Sequence, residues 1–211
     1  MIKTFKEFLL EKHDWTELPK GNDVIKVIQP KNKNYVVKLT ENRNAADVAF
    51  ILLNQKENTF VANILQVHKI RGKKQYFIVE ELVEPLNNIE LIKYTKNILE
   101  LVKDKSQKIW NTYKNSKIGI LDLLFELCKN NIPIEHEIVY AYCPIFQWIK
   151  YILNINEIDL NSKNMAKKKN KYILFDITAS VKKQEIQEIN VPKELKTLDD
   201  IFEWYLKTQI R

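Results

Sequence analysis

Glycine is almost absent from this chain, with three in 211 residues, at positions 21, 72 and 119. That scarcity excludes glycine-rich repeats and disfavours all-β folds, which use glycine in their turns, and it suits a helix-rich protein. Cysteine is as scarce. Cys128 and Cys143 lie in apolar segments without C-x-x-C spacing, which predicts neither a zinc site nor a disulfide framework and fits a reducing compartment. No apolar run approaches the length of a membrane span, and the charged N-terminus has no secretory core. A soluble chain without a membrane partner is therefore expected, in the cytoplasm. Helix-turn-helix, zinc and RNP-like patterns are also missing.

What is present is the make-up of an ordinary globular protein, 45% hydrophobic and 29% charged. A chain of this length can bury a core as one domain or two intimate lobes without staples. The net charge of +7 would attract phosphate without any sequence code. Because the lysines are interleaved with Glu and Asp, nucleic acid is not the expected partner, and a basic nucleic-acid-binding protein ranks third among the functional readings. The dense cluster Lys167, Lys168, Lys169 and Lys171 flanks Asn170 as a turn would. It reads as a solvated hairpin ahead of a phosphate site.

Periodicity divides the chain into three. Residues 1–14 place Ile2, Phe5, Phe8 and Leu9 at helical spacing, an amphipathic helix. Residues 15–85 read as strand, strand, helix, strand, strand: Val24 to Ile28, Tyr35 to Leu39, a helix over 43–55, then Ile64 to Ile70 and Gln75 to Val79. Residues 86–211 are mainly helical, with breaks expected near Asn115 and over 130–133, and a kink or boundary at Pro144. Two very short strands are expected at Met165 and Tyr172 to Phe175, and an amphipathic helix over 196–209.

Four segments, in order, carry residues suited to nucleotide chemistry. Val36-Val37-Lys38-Leu39 puts a cation on a strand. Tyr76-Phe77-Ile78-Val79-Glu80-Glu81-Leu82-Val83 is a buried strand that leaves the sheet. Asp159-Leu160-Asn161-Ser162-Lys163-Asn164 sets an asparagine five positions after an aspartate, and Ile173-Leu174-Phe175-Asp176 ends a strand on a carboxylate. Hard oxygen donors of this kind are what Mg²⁺ takes, one or two carboxylates completed by substrate phosphates.

Together these segments resemble the protein-kinase signature set. They are most similar to small kinase-like proteins of tailed bacteriophages and to the aminoglycoside-phosphotransferase branch, over roughly residues 20–180. The resemblance implies an α+β, protein-kinase-like fold in two lobes: an antiparallel-sheet upper lobe with one helix, and a truncated, mainly helical lower lobe. It implies ATP and Mg²⁺ as cofactors. Lys38 would hold phosphates with Asp47 as its acidic partner, Gly21 would lie in the phosphate loop, and Glu81 and Val83 would receive the base. Asn164 and Asp176 would hold the metal, and Asp159 would act as base or orienter toward the acceptor hydroxyl. The implied activity is phosphoryl transfer to a protein or small-molecule hydroxyl; a pseudokinase that binds a host or virion protein is the alternative. The first eleven residues also resemble the segment by which some phage internal capsid proteins are packaged and then cleaved after a Glu, which would place the protein in the host cytoplasm or the virion.

The departures are as definite as the matches. The phosphate loop offers only Gly21, Glu157 and Ile158 precede Asp159 in place of His and Arg, and no glycine follows Asp176. After Asp176 neither an activation loop nor the usual lower helices are expected.

Overall fold

Period-two alternation broken by Asn- and Gly-bearing turns folds the first part of the chain into antiparallel strands. The computed structural model describes residues 14–55, 59–114, 119–155, 164–169 and 171–210. Strands β1 (Trp15–Glu17), β2 (Val24–Pro30) and β3 (Tyr35–Thr40) are followed by helix α1 (Arg43–Leu53), then β4 (Ile64–Ile70) and β5 (Tyr76–Glu81). Two turns explain the hairpins. Asn32 (φ 58°) takes the left-handed conformation between β2 and β3, and Gly72 (φ 74°) takes it between β4 and β5, a region that Asn tolerates and Gly enters freely. With β9 (Glu188–Ile189) these strands form a six-stranded sheet in the order β1-β2-β3-β5-β4-β9, antiparallel except for the β4–β9 pair.

The lower lobe begins where β6 (Glu84–Pro85) pairs with β7 (Met165–Lys168), whose hairpin partner is β8 (Lys171–Leu174). Around this small sheet pack α2 (Asn88–Lys103), α3 (Gln107–Tyr113), α4 (Ile120–Lys129) and α5 (Glu137–Leu153). Asn87 and Glu90 close a capping box at the start of α2. The helical stretch also stops at Lys103, because Ser106 caps a new helix by accepting the Ile109 N–H; the expected break near Asn115 lies outside the described residues. At Pro144 no boundary forms, and α5 runs through it. The carbonyl that loses its donor belongs to Tyr140, an exposed residue, where water can replace the bond.

Two expectations are corrected. Cys128 on α4 and Cys143 on α5 form a disulfide, because the two helices pack against each other and bring positions 15 apart in sequence to a Cα separation of 5.3 Å. Tertiary pairing of this kind leaves no mark in local spacing. The chain beyond residue 186, expected in the lower lobe, instead returns to the upper sheet. β9 extends that sheet, and α6 (Leu198–Thr208) covers its outer face. There Phe77 stacks on Tyr205 with ring centroids 3.9 Å apart and meets Phe202 edge-on. Burying each such ring contributes about 1.5–3 kcal/mol, so cutting Phe77 back to alanine would cost about 3–5 kcal/mol.

The sheet is therefore buried on both sides. Val37, Leu39, Phe77 and Val79 face α6, while Ile78 packs with Ala46 and Ala49 of α1. Val48 and Leu52 of the same helix join the core that Leu124, Tyr142 and Phe146 build below. The result is an α+β arrangement of two lobes, as the sequence predicts, with a cleft between them.

Candidate functional site

Strand alternation decides which side chains reach the cleft. On β3, Val37 and Leu39 point to the outer core, so Val36 and Lys38 point inward. On β5, Lys38 lies opposite Ile78 and Val36 opposite Glu80, which puts Lys38 and Glu80 on one face and diagonal to each other. The Lys38 Nζ is 2.6 Å from Glu80 Oε2 and 3.1 Å from Asp176 Oδ1. Lys38 and Glu80 are 8% and 3% exposed, whereas the Asp176 side chain is 40% exposed. Burial by itself would lower the Lys38 pKa. Glu80 and then Asp176 outweigh it and push the ammonium up to about 12. Two carboxylates against one ammonium leave the trio with an excess negative charge on its open side.

Asp176 is held by its backbone. Its N–H donates to Glu80 Oε1 (3.3 Å), and its carbonyl accepts from Asn164 Nδ2 (2.8 Å). The two bonds fix a left-handed conformation, φ 52°, which costs a non-glycine residue on the order of 1 kcal/mol. Asn164, one residue before β7, and Asp176, two residues after β8, thus meet at the open end of the hairpin, as the sequence predicts.

Above them lies an apolar slot of about 300 Å³, roofed by Leu18, Val24 and Val36 and edged by Leu82 and Val83. The slot shares Gly21, Val24, Lys38 and Asp176 with a polar chamber of about 290 Å³ lined by Asp23, Asn42, Asn164 and Thr178. The loop over this chamber is pinned by side chains. Thr40 Oγ1 donates to the Asp23 carbonyl (2.6 Å), and Asn42 Nδ2 donates to the Asp23 carboxylate (3.2 Å) while the Asn42 Oδ1 caps α1. Gly21 lines both cavities, yet a Cβ there would meet nothing within 4 Å. Glu81 and Val83 line the slot at the hinge; the Glu81 carboxylate itself turns away to Lys168 Nζ (2.6 Å). That pair takes up one lysine of the basic cluster, Lys167 lies over the Tyr172 ring, and Lys169 makes the turn of the hairpin (φ 45°).

Asp47 is not the partner of Lys38. It is buried on another face of α1, accepting from Arg43 Nε (2.8 Å) and from the Gln184 N–H (2.9 Å). The hydrogen bond to Asp47 is the main reason that the Arg43 guanidinium is raised above its ordinary pKa. Arg43 also donates to the Tyr76 hydroxyl and approaches the Gln184 carbonyl. The helix presents Ala45, Val48 and Ala49 to the cleft, one turn face that excludes position 47. Asp159 lies outside the described residues, as do residues 1–13, where the N-terminal helix is expected.

The residue that sequence reasoning missed is Glu80. Its signal was available, because a carboxylate in the inward register of a strand as apolar as Tyr76 to Val79 is a burial that calls for a partner. The Arg43–Asp47–Gln184 bracket had no comparable signal, since residues 137 apart carry no shared pattern.

No protein-family model and no curated protein sequence matches the chain. Among solved structures it is similar to a thermostable mutant of aminoglycoside phosphotransferase APH(4)-Ia in ternary complex with AMP-PNP and hygromycin B, at 10% identity and a TM-score of 0.38, covering 82% of this chain and 70% of that one. The apo form of a thermostable mutant of the same protein gives 12% identity and a TM-score of 0.36, with 84% and 70% covered. For APH(4)-Ia itself the values are 11% and 0.34, with 81% and 69% covered.

Proposed function

We propose that the chain binds ATP with Mg²⁺ in the interlobe cleft and transfers its terminal phosphoryl group to a hydroxyl of a protein or small molecule. The observation that carries this reading is a buried cation, Lys38, facing Asp176 across the cleft at 3.1 Å, with an apolar slot on one side of it and a polar chamber on the other. The slot suits a planar base, whose edge would meet the backbone at Glu81 and Val83. The chamber suits phosphates, which Lys38 would hold.

The donor set fits Mg²⁺. Asn164 spends its amide nitrogen on the Asp176 carbonyl, so its Oδ1 and the exposed Asp176 carboxylate are the oxygens a cation would meet. Among the described residues no group of three or more His, Cys, Asp or Glu could hold a metal by itself. An ion that relies on phosphate oxygens for the rest of its shell needs no such group. Bound there, Mg²⁺ would neutralise charge on the terminal phosphates, and the excess negative charge of the Lys38–Glu80–Asp176 trio attracts a cation to that side. Asp159 would take the proton of the acceptor hydroxyl as its oxygen bonds to phosphorus and the bond to the nucleoside diphosphate breaks. Positioning and charge supply most of the rate in such a transfer, so a reduced lower lobe suffices.

A second reading, binding without turnover, is favoured by Asp23. Its carboxylate lines the chamber where phosphates would lie, in a loop that should offer backbone N–H groups and no anion. Calorimetry with ATP and Mg²⁺, followed by labelled-phosphate transfer, tests both. Binding that Asp176→Ala abolishes, with label transferred by the parent protein, supports the phosphotransferase. Binding without transfer selects the second reading, and no binding refutes both.

A further inference from the structure

We infer that Glu80 is the positioning residue of this cleft: a single carboxylate on β5 is the permanent counter-ion of Lys38 and also the anchor of the Asp176 backbone. The inference rests on the nucleotide reading above and assigns to the sheet a task that the sequence resemblance gives to helix α1.

Three observations support it. First, both carboxylate oxygens are committed, Oε2 to the Lys38 ammonium at 2.6 Å and Oε1 to the Asp176 N–H at 3.3 Å. One side chain therefore ties the upper sheet to the loop that closes the cleft from below. Second, the β3–β5 ladder holds the pair in register, Lys38 opposite Ile78 and Val36 opposite Glu80. The separation of ammonium and carboxylate is thus set by main-chain hydrogen bonds rather than by the docking of a helix. Third, only the cation calls for an acid at this place. Glu80 is 3% exposed between Ile78 and Val36, where a buried charge is tolerated because Lys38 and the Asp176 N–H take up both of its oxygens.

Among the described residues, the charged groups that face Lys38 are Glu80 from β5, Asp176 from the loop after β8, and, across the polar chamber, Asp23. Helix α1 contributes Ala45, Val48 and Ala49 to this wall. When the Asp176 carboxylate turns toward a cation, Lys38 keeps Glu80, and the ammonium remains charged and aimed. Displacement of α1 therefore does not switch the site, because the counter-ion does not travel with the helix.

The test begins on nucleotide-free protein. Acylation with a neutral amine reagent, read by mass spectrometry from about pH 8 to about pH 12, gives for each lysine the midpoint at which its amine becomes reactive. Glu80→Gln should move the Lys38 midpoint down by at least about one pH unit, roughly a tenfold gain in reactive amine at a given pH. Asp176→Asn should move it less, and Asp47→Asn should leave it in place. Glu80→Gln should also raise the Kd for ATP with Mg²⁺ about tenfold, with part of both effects recovered in Glu80→Asp, which keeps the charge. A midpoint that follows Asp47→Asn, or that Asp176→Asn moves more than Glu80→Gln, overturns the assignment. If Glu80→Gln does not fold, Glu80→Asp decides by its Kd for ATP with Mg²⁺: a value equal to that of the parent overturns the assignment, and a rise of about threefold or more supports it. If the parent does not bind ATP with Mg²⁺, the nucleotide reading falls, while the midpoints still decide whether Glu80 holds Lys38.

Discussion

Replacing Asp47 by alanine separates stability from site chemistry. The carboxylate is 1% exposed and accepts from Arg43 Nε and from the Gln184 N–H. Removing one member of a buried ion pair costs about 3–5 kcal/mol. Arg43, however, is 33% exposed, so water can rehydrate the guanidinium, and the charge loss falls to about 2 kcal/mol. The Gln184 N–H left without its acceptor adds about 1 kcal/mol. A total of about 3 kcal/mol in a chain of this size lowers the Tm by roughly 6–12 °C. The assay pairs a thermal melt with the Kd for ATP and Mg²⁺, measured well below the transition. A lower Tm with the Kd within about twofold of the parent is expected. An unchanged Tm with a Kd raised tenfold would refute the reasoning, because Asp47 would then act on Lys38 and not on the Gln184 segment.

Further outcomes follow from the same geometry. Reducing the Cys128–Cys143 disulfide, which closes a loop of 15 residues, should cost about 3 kcal/mol, read as a fall in Tm on adding a phosphine reductant and absent in a Cys128→Ser, Cys143→Ser protein. Gly21→Ala should change stability by less than about 0.5 kcal/mol and leave nucleotide affinity within about twofold, since open space surrounds the position; loss of binding would show that the loop closes onto its ligand more tightly than here. Lys38 has a pKa raised from 10.5 to about 12, so the stability it confers is complete below pH 10.5 and is lost as the pH climbs through about 12. Urea midpoints of the parent and Lys38→Met should therefore converge at the alkaline end. His68 is opposite in sense: burial beneath α6, where its Nδ1 meets the Tyr205 hydroxyl at 2.8 Å, lowers its pKa. The unfolded chain then binds the extra proton first, and stability should fall as the pH drops below 6.5, a loss that His68→Gln should lack in parallel melts.

Much of this architecture was legible because it is written in local periods. The alternation around Lys38 and in Tyr76 to Val79 gives strands whose outward residues meet α6 and whose inward residues meet the cleft. The hairpin from Asn164 to Asp176 could be read from two short apolar runs around a lysine-rich turn. What escaped was long-range. Nothing in residues 186–210 says that Ile201, Phe202 and Tyr205 will cover Phe77 rather than the lower helices, because an amphipathic face specifies that it is buried and not against what. Cys128 and Cys143 paired for the same reason, through helix packing. The expectation for Asp47 failed differently: an acidic partner for Lys38 was rightly called for, but it stands on β5 and not on the helix.

That failure explains why the acid comes from the sheet. Helix α1 has its buried positions committed, and of its residues that line the cleft only Ala45, in the first turn, is half-buried. Ala46 and Ala49 lie against Ile78, and a larger residue there would push the helix off the strands. Val48 and Leu52 belong to the core of the lower lobe, so an acid at either position would be a buried charge facing apolar side chains. Position 47 is held by Arg43 and the Gln184 main chain. A helix that fastens both lobes and the returning chain at once cannot also supply the carboxylate that a buried ammonium requires. The neighbouring strand places Tyr76 and Glu80 on the two diagonals of Lys38, and Glu80 is the one that carries an acid. Moving the acid back should therefore fail: Ala49→Glu combined with Glu80→Gln should unfold at lower temperature than Glu80→Gln alone and should not restore nucleotide affinity. Recovery of both Tm and Kd in the double variant would mean that α1 has a free face after all.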